Sequence, residues 1–181
     1  MTQKKLSKLV LPRAWGLTNI SRSWKRSERR MCPPTQISSV FSMHFYRVRR
    51  NAEWRKAYYD LFETSKNSTP SFESIIRTMY EATGNIEASF SSKMLATINP
   101  EMPIWDRYVV QNLCLEMRGK TKEDQLKCAV DLYNKMISWY EGFLQTENGR
   151  DCIAEFDLIL PGYVWMSDVK KIDFYLWSIR D

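Results

Sequence analysis

The chain has 181 residues, 44% hydrophobic and 27% charged, with 6 Gly and 7 Pro, the composition of one ordinary folded domain and not of a collagen-like, low-complexity or wholly disordered chain. No apolar run approaches the roughly 20 residues that cross a bilayer, so no membrane partner is expected. The formal net charge of +6 is unevenly placed: residues 1–42 carry Lys4, Lys5, Lys8, Arg13, Arg22, Lys25, Arg26, Arg29 and Arg30 against Glu28 alone, and the remainder is slightly acidic.

Residues 1–42 show no sustained period and contain Pro12, Pro33 and Pro34, so a basic irregular extension is expected there and a helical domain over 43–181. Such an extension would give salt-sensitive, sequence-blind affinity for DNA or RNA. It reads equally as a solvated tail or, being rich in Arg and Ser, as a targeting segment.

The helical pattern begins near 50–65, where Trp54, Tyr58, Leu61 and Phe62 share one face. Pro70 or Ser71 then opens a second helix with the stripe Phe72, Ile75, Ile76, Met79 and Tyr80, and Gly84 suits the left-handed residue that ends it. A short helix over 89–98 is closed by the segment Asn99-Pro100-Glu101-Met102-Pro103. Asp106 is the predicted N-cap of a helix running to Arg118, with Gly119 as its stop. Thr121 opens the longest helix, with a 3.6-residue period from Leu126 to Leu144 that marks it as central. Asn148-Gly149 is the expected break, followed by a helix carrying Ile153, Phe156 and Leu160, a turn at Pro161-Gly162, and a final helix capped by Ser167. About seven helices and no convincing alternating strand make the fold class all-α.

Cys32, Cys114, Cys128 and Cys152 are far apart, with no C-x-x-C pair, so neither a metal nor an iron–sulfur framework is expected. Cys114 and Cys128 fall on apolar stretches predicted to be helical, where a free thiol acts as a small core residue. A reducing, intracellular setting, cytoplasmic or nucleoid-associated, fits this usage best. His44 is the single histidine, which excludes a multi-histidine metal site and leaves catalysis to other side chains.

The unusual stretch is Gly84-Asn85-Ile86-Glu87-Ala88-Ser89-Phe90-Ser91-Ser92-Lys93, followed by Pro103-Ile104-Trp105-Asp106. Small residues surround one aromatic just before a helix, and Lys93 is expected in its first turn, where the helix dipole and partial burial both disfavour an ammonium. A lysine so placed is a candidate nucleophile. The short Pro-containing connection would bring Asp106 to the same cleft.

On these residues the chain resembles the helix-hairpin-helix DNA glycosylases of the 8-oxoguanine glycosylase kind. Ser89-Phe90-Ser91-Ser92-Lys93 stands where that family has a Gly-apolar-Gly hairpin and its lysine, and Pro103-Ile104-Trp105-Asp106 where it has its catalytic aspartate. The likeness is confined to about residues 84–110; Ser89 and Ser91 replace the glycines, and the interval from Lys to Asp is shorter than the family's. The resemblance implies an all-α glycosylase fold, duplex DNA as partner, a role in DNA repair, and no metal or nucleotide cofactor. It further implies that Lys93 attacks the sugar of a flipped nucleotide, that Asp106 stabilises the cationic sugar, and that Ser89, Ser91 and Ser92 meet DNA phosphate. Trp105 would stack on the extruded base or fill its gap.

The same residues have a structural reading, in which Lys93 and Asp106 form a helix-terminal ion pair, Asp106 is an ordinary cap and Trp105 is core. Arg47 and Arg50, interleaved with Tyr46, Trp54 and Tyr58, would grip a nucleic-acid backbone or form the solvated face of an amphipathic helix. Asp173, in an aromatic-rich C-terminal helix, would pack with the core or line the Lys93 cleft. The alternative to base excision is a non-catalytic all-α module that binds nucleic acid or protein.

Overall fold

Asn51 opens the first helix of the computed structural model, which describes residues 50–179. Its side chain accepts the Trp54 N–H at 2.9 Å, satisfying one orphaned first-turn donor, and α1 runs over Ala52–Ser65. The basic extension 1–42, Cys32, His44 and Arg47 lie outside the described residues.

Ser71 caps α2 (Phe72–Thr83), which ends at Gly84 with φ 68°; α3 (Ala88–Ile98) follows after a short loop. Asp106 caps α4 (Arg107–Asn112) through the Tyr108 N–H. Thr121 opens α5 (Lys122–Leu144) with a reciprocal capping box closed by Asp124. α6 (Glu147–Ile159), a 3-10 turn at Pro161–Tyr163 and α7 (Asp168–Ser178), capped by Ser167, complete the order. There are seven α-helices and no strand among the described residues, so the fold is all-α.

The long α5 is central, packing against α2, α6 and α7, while α1, α2 and α3 pack in succession and α7 also covers α4. The apolar stripes do this work: Leu126, Ala129, Tyr133, Met136 and Tyr140 of α5 are buried against Phe72, Ile76, Phe156 and Ile172. Each large side chain so enclosed contributes roughly 1.5 to 3 kcal/mol of apolar transfer. Phe72 lies between two rings, stacking on Tyr133 at 3.9 Å and on Trp105 at 6.3 Å. The connection between α3 and α4 is thereby drawn into the core. Among the described residues no helix is long and apolar enough to cross a membrane.

The helix expected over 106–118 stops at Asn112. Leu113 turns inward to be buried, and Cys114 takes the left-handed conformation, φ 54°. Asn112 donates its amide to the carbonyls of Leu176 and Ile179 at 2.7 and 3.2 Å, so the end of α4 closes the end of α7 instead of continuing. Cys114 is consequently exposed and not a core thiol. The break after α5 falls at Gln145–Thr146, ahead of Asn148-Gly149. Thr146 caps α6, its hydroxyl accepting the Gly149 N–H at 3.0 Å.

Gly149 sits in the first turn of α6 because a Cβ there would lie 2.2 Å from the Phe143 carbonyl oxygen. In an open helical site Gly→Ala stabilises by about 1 kcal/mol. Gly149→Ala is instead expected to destabilise, by roughly 1 to 3 kcal/mol, whereas Gly142→Ala, with nothing within 4 Å of its Cβ position, should stabilise. Chemical denaturation of the two variants should show opposite signs.

Candidate active site

The 99–105 connection carries the chain from α3 to Asp106, and hydrogen bonds hold it along its length. Pro100 O accepts from Ser167 Oγ at 2.6 Å, Met102 O from Lys170 Nζ at 2.7 Å, and Pro103 O from Tyr133 Oη at 2.8 Å. The Ile104 N–H donates to both Asp173 carboxylate oxygens at 3.3 and 3.2 Å. The Trp105 N–H donates to Ser92 Oγ of α3 at 2.8 Å. A loop with two prolines forms few backbone bonds of its own, and here side chains of α3, α5 and α7 supply them.

Asp106 emerges from this frame. Its Oδ1 accepts the Tyr108 N–H at 2.9 Å, and among the described residues no hydrogen bond is made by Oδ2. Lys93 lies in the second turn of α3, not in the first as expected. Burial pushes its ammonium below the ordinary lysine range, and the negative charge of Asp106 acts against that shift. The two groups are electrostatically coupled, with no direct salt bridge joining them. The ion pair of the structural reading is absent, while its N-cap is present.

Phe90 is the link between Lys93 and the rest of the site. Lys93 Nζ stands 5.4 Å from the centre of its ring and the Arg50 guanidinium 5.5 Å, so one aromatic holds two cations. Trp54 meets the same ring edge-on at 4.8 Å. Glu87, buried at the N-cap position of α3, accepts the Trp54 indole N–H at 3.0 Å and an Arg50 N–H at 2.9 Å. It fixes α1 to the start of α3. The i, i+3 spacing of Phe90 and Lys93 was the sequence signal for their contact; the Glu87 pairings, 33 and 37 residues apart, left none.

An open cleft of about 650 Å³ lies beside the start of α3, its wall including Arg50, Ser89, Phe90, Trp105, Arg118 and Lys122. Of the residues expected to meet nucleic acid, Arg50, Ser89 and Trp105 therefore share one surface. Ser91 and Ser92 do not. Both are fully buried within α3, which begins at Ala88, so the segment aligned with a hairpin is helical and the Ser91 N–H donates to the Glu87 carbonyl at 2.8 Å. Trp105 is also largely buried, stacked on Phe72, and a base-stacking or gap-filling role for it is not available in this conformation. Lys93 and Asp106 border the cleft through Phe90 and Trp105 without forming its wall.

A second cluster, absent from the catalytic expectation, lies behind the connection. Asp173 is buried and accepts from Tyr140 Oη at 2.5 Å and Lys170 Nζ at 3.1 Å. Burial pushes the Asp173 carboxyl up and the Lys170 ammonium down, against their mutual attraction. Burial and the neighbouring Asp173 charge raise the Tyr140 phenol well above its usual range. Asp173 therefore binds the far side of the connection and is not a cleft residue. No group of three or more His, Cys, Asp or Glu among the described residues could hold a metal ion.

Comparisons of the chain with protein-family models, with curated proteins and with solved structures find no match.

Two expectations test this geometry. Ser92→Ala removes the acceptor of the buried Trp105 N–H and should cost roughly 1 to 3 kcal/mol. The neighbouring Ser91→Ala, whose hydroxyl makes no bond to the described residues, should be near neutral in the same denaturation assay. Lys93→Met should be more stable than the wild type at neutral pH, because it removes a desolvated charge. That advantage should shrink as pH rises through the depressed Lys93 pKa towards the ordinary value of 10.5, where the folded state has shed a proton that the unfolded chain still holds. Melting temperatures of both proteins across neutral to alkaline pH measure it.

Proposed function

We propose that this protein excises a base from duplex DNA, with Lys93 as nucleophile and Asp106 as the carboxylate that stabilises the cationic sugar. The observation that carries the reading is the pairing of a partly desolvated lysine on α3 with an aspartate at the start of α4 whose charge it feels. The resemblance to helix-hairpin-helix glycosylases over residues 84–110 points the same way. The cleft supplies the third support: Arg50, Arg118 and Lys122 stand around it with Phe90, the mixture of cation and aromatic that suits a nucleic-acid strand.

In this reading the flipped nucleotide presents C1′ to Lys93 Nζ. Burial favours the neutral amine, whose lone pair is the attacking group. As the C1′–N bond forms, the glycosidic bond breaks and its electron pair leaves with the base, which takes up a proton released from the lysine nitrogen. The C1′–O4′ bond then breaks and opens the sugar ring, its electron pair and the remaining Nζ proton going to O4′, which leaves an imine between C1′ and Nζ. Asp106 Oδ1 stays engaged at the helix cap while the carboxylate charge faces the positive charge that develops on the sugar.

Borohydride trapping on duplexes bearing different damaged bases is the direct test. The wild-type chain is expected to form a covalent adduct that Lys93→Gln abolishes. Asp106→Asn should reduce base release by roughly 100-fold or more with its melting temperature preserved, because Asn caps a helix nearly as well as Asp. Retained activity in both variants would overturn the assignment. No adduct on any duplex would leave the non-catalytic binding module, for which Arg118→Ala and Lys122→Ala should each flatten the salt dependence of DNA affinity by about one phosphate contact.

A further inference from the structure

Asp106 is held at the helix cap, and α4 is fixed at its far end by Val109 in the core and by the Asn112 bonds to the end of α7. α4 is a six-residue helix, Arg107–Asn112, and its N-terminal end, where Asp106 stands, is held by the connection that precedes it. That connection is bonded to α3 at its start, where the Asn99 N–H donates to Leu95 O, and at its end, where the Trp105 N–H donates to Ser92 Oγ. Its other side is bonded to Asp173 at Ile104, two residues before Asp106, and to Lys170 at Met102. Tyr140 of α5 donates its hydroxyl to the same carboxylate at 2.5 Å.

From this geometry we propose that Asp173, aimed by Tyr140 and Lys170, is a positioning residue that sets the separation between Asp106 and Lys93. The proposal rests on the base-excision reading for its catalytic consequence, though not for its structural content. Asp173 touches neither the cleft nor Lys93. It acts through the Ile104 amide, and a small displacement there carries Asp106 with it. Rates in positioned pairs are sensitive to such shifts, a 1 Å misplacement costing on the order of 100-fold.

The electrostatics supply a readout independent of activity. Burial lowers the Lys93 pKa and the charge of Asp106 raises it. Asp173→Asn also removes a carboxylate charge, which would lower the Lys93 pKa through space with the same sign, so the charge-neutral Tyr140→Phe is the variant whose shift reports movement.

The experiment follows the Lys93 titration by NMR in the full chain carrying 13C-labelled lysine, alongside single-turnover excision and affinity for duplex DNA. Asp106→Asn sets the reference, lowering the Lys93 pKa by removing the charge that supports it. Asp173→Asn is expected to lower it in the same direction. It should also slow excision by roughly 10-fold or more while DNA affinity changes by less than about 2-fold. Because this variant leaves Lys170 buried without its ionic partner, Tyr140→Phe is measured beside it; it removes one oxygen, keeps the volume, and should give a smaller shift of the same sign. A folded Tyr140→Phe protein in which Lys93 titrates as in the wild type, or a folded Asp173→Asn protein that excises at the wild-type rate, would overturn the proposal. A wild-type chain that traps no DNA would instead defeat the excision reading, and the titrations would still decide whether Asp173 places Asp106.

Discussion

The carboxylate of Asp173 is inside the protein because the Tyr140 hydroxyl, the Lys170 ammonium and the Ile104 amide all converge on it. An isolated buried carboxylate costs several kcal/mol even after relaxation, and an ion pair alone seldom offsets the desolvation of both partners. Here the remaining lone pairs are satisfied by neutral donors, and each donor arrives from a different part of the chain. α5 and α7 are thereby locked at one angle, with the 99–105 connection pressed between them. Phe72, stacked between Trp105 and Tyr133, completes the same junction from the side of α2. The end of the connection, where Asp106 begins α4, is held at this junction.

Helix existence was legible because it is a local matter. The stripes of α1, α2 and α5 repeat at the helical period, and Asn51, Ser71, Thr121 and Ser167 are side chains that accept a first-turn amide. Helix ends set by tertiary contact were not legible. Nothing between Asp106 and Arg118 forbids a helix, yet Asn112 is needed by two carbonyls at the end of α7, 64 and 67 residues later. Gly149 read as a breaker because glycine commonly is one, whereas its role is to let α6 approach the last turn of α5.

The candidate site divides in the same way. Lys93 and Asp106 stand out in the sequence because a lysine among small residues and a capping aspartate follow one another across two prolines. Their coupling is visible in the structure, although the segment before Lys93 is a helix and not a hairpin. Ser92 illustrates the difference: read as a contact to phosphate, it is an internal acceptor that fixes Trp105. The sequence places Asp173 either in the core or at the cleft and Tyr140 on the apolar stripe of α5, but their meeting with Lys170 carries no mark in it, because hydrophobic periodicity predicts which residues face inward and says nothing about which polar groups meet there.

The pairing of Ile104 with Asp173 spans 69 residues, and this has a consequence for the order of events during synthesis. A chain emerging from the ribosome releases α1 to α4 well before α7, and non-local closures of this kind are late in folding because loop entropy must be overcome first. The nascent segment thus holds its lysine and its aspartate with the strap between them unfastened. The bonds from Asp173 and Lys170 to that connection form only when the last helix docks. Assembly of the site is in this way a report on completion of the fold.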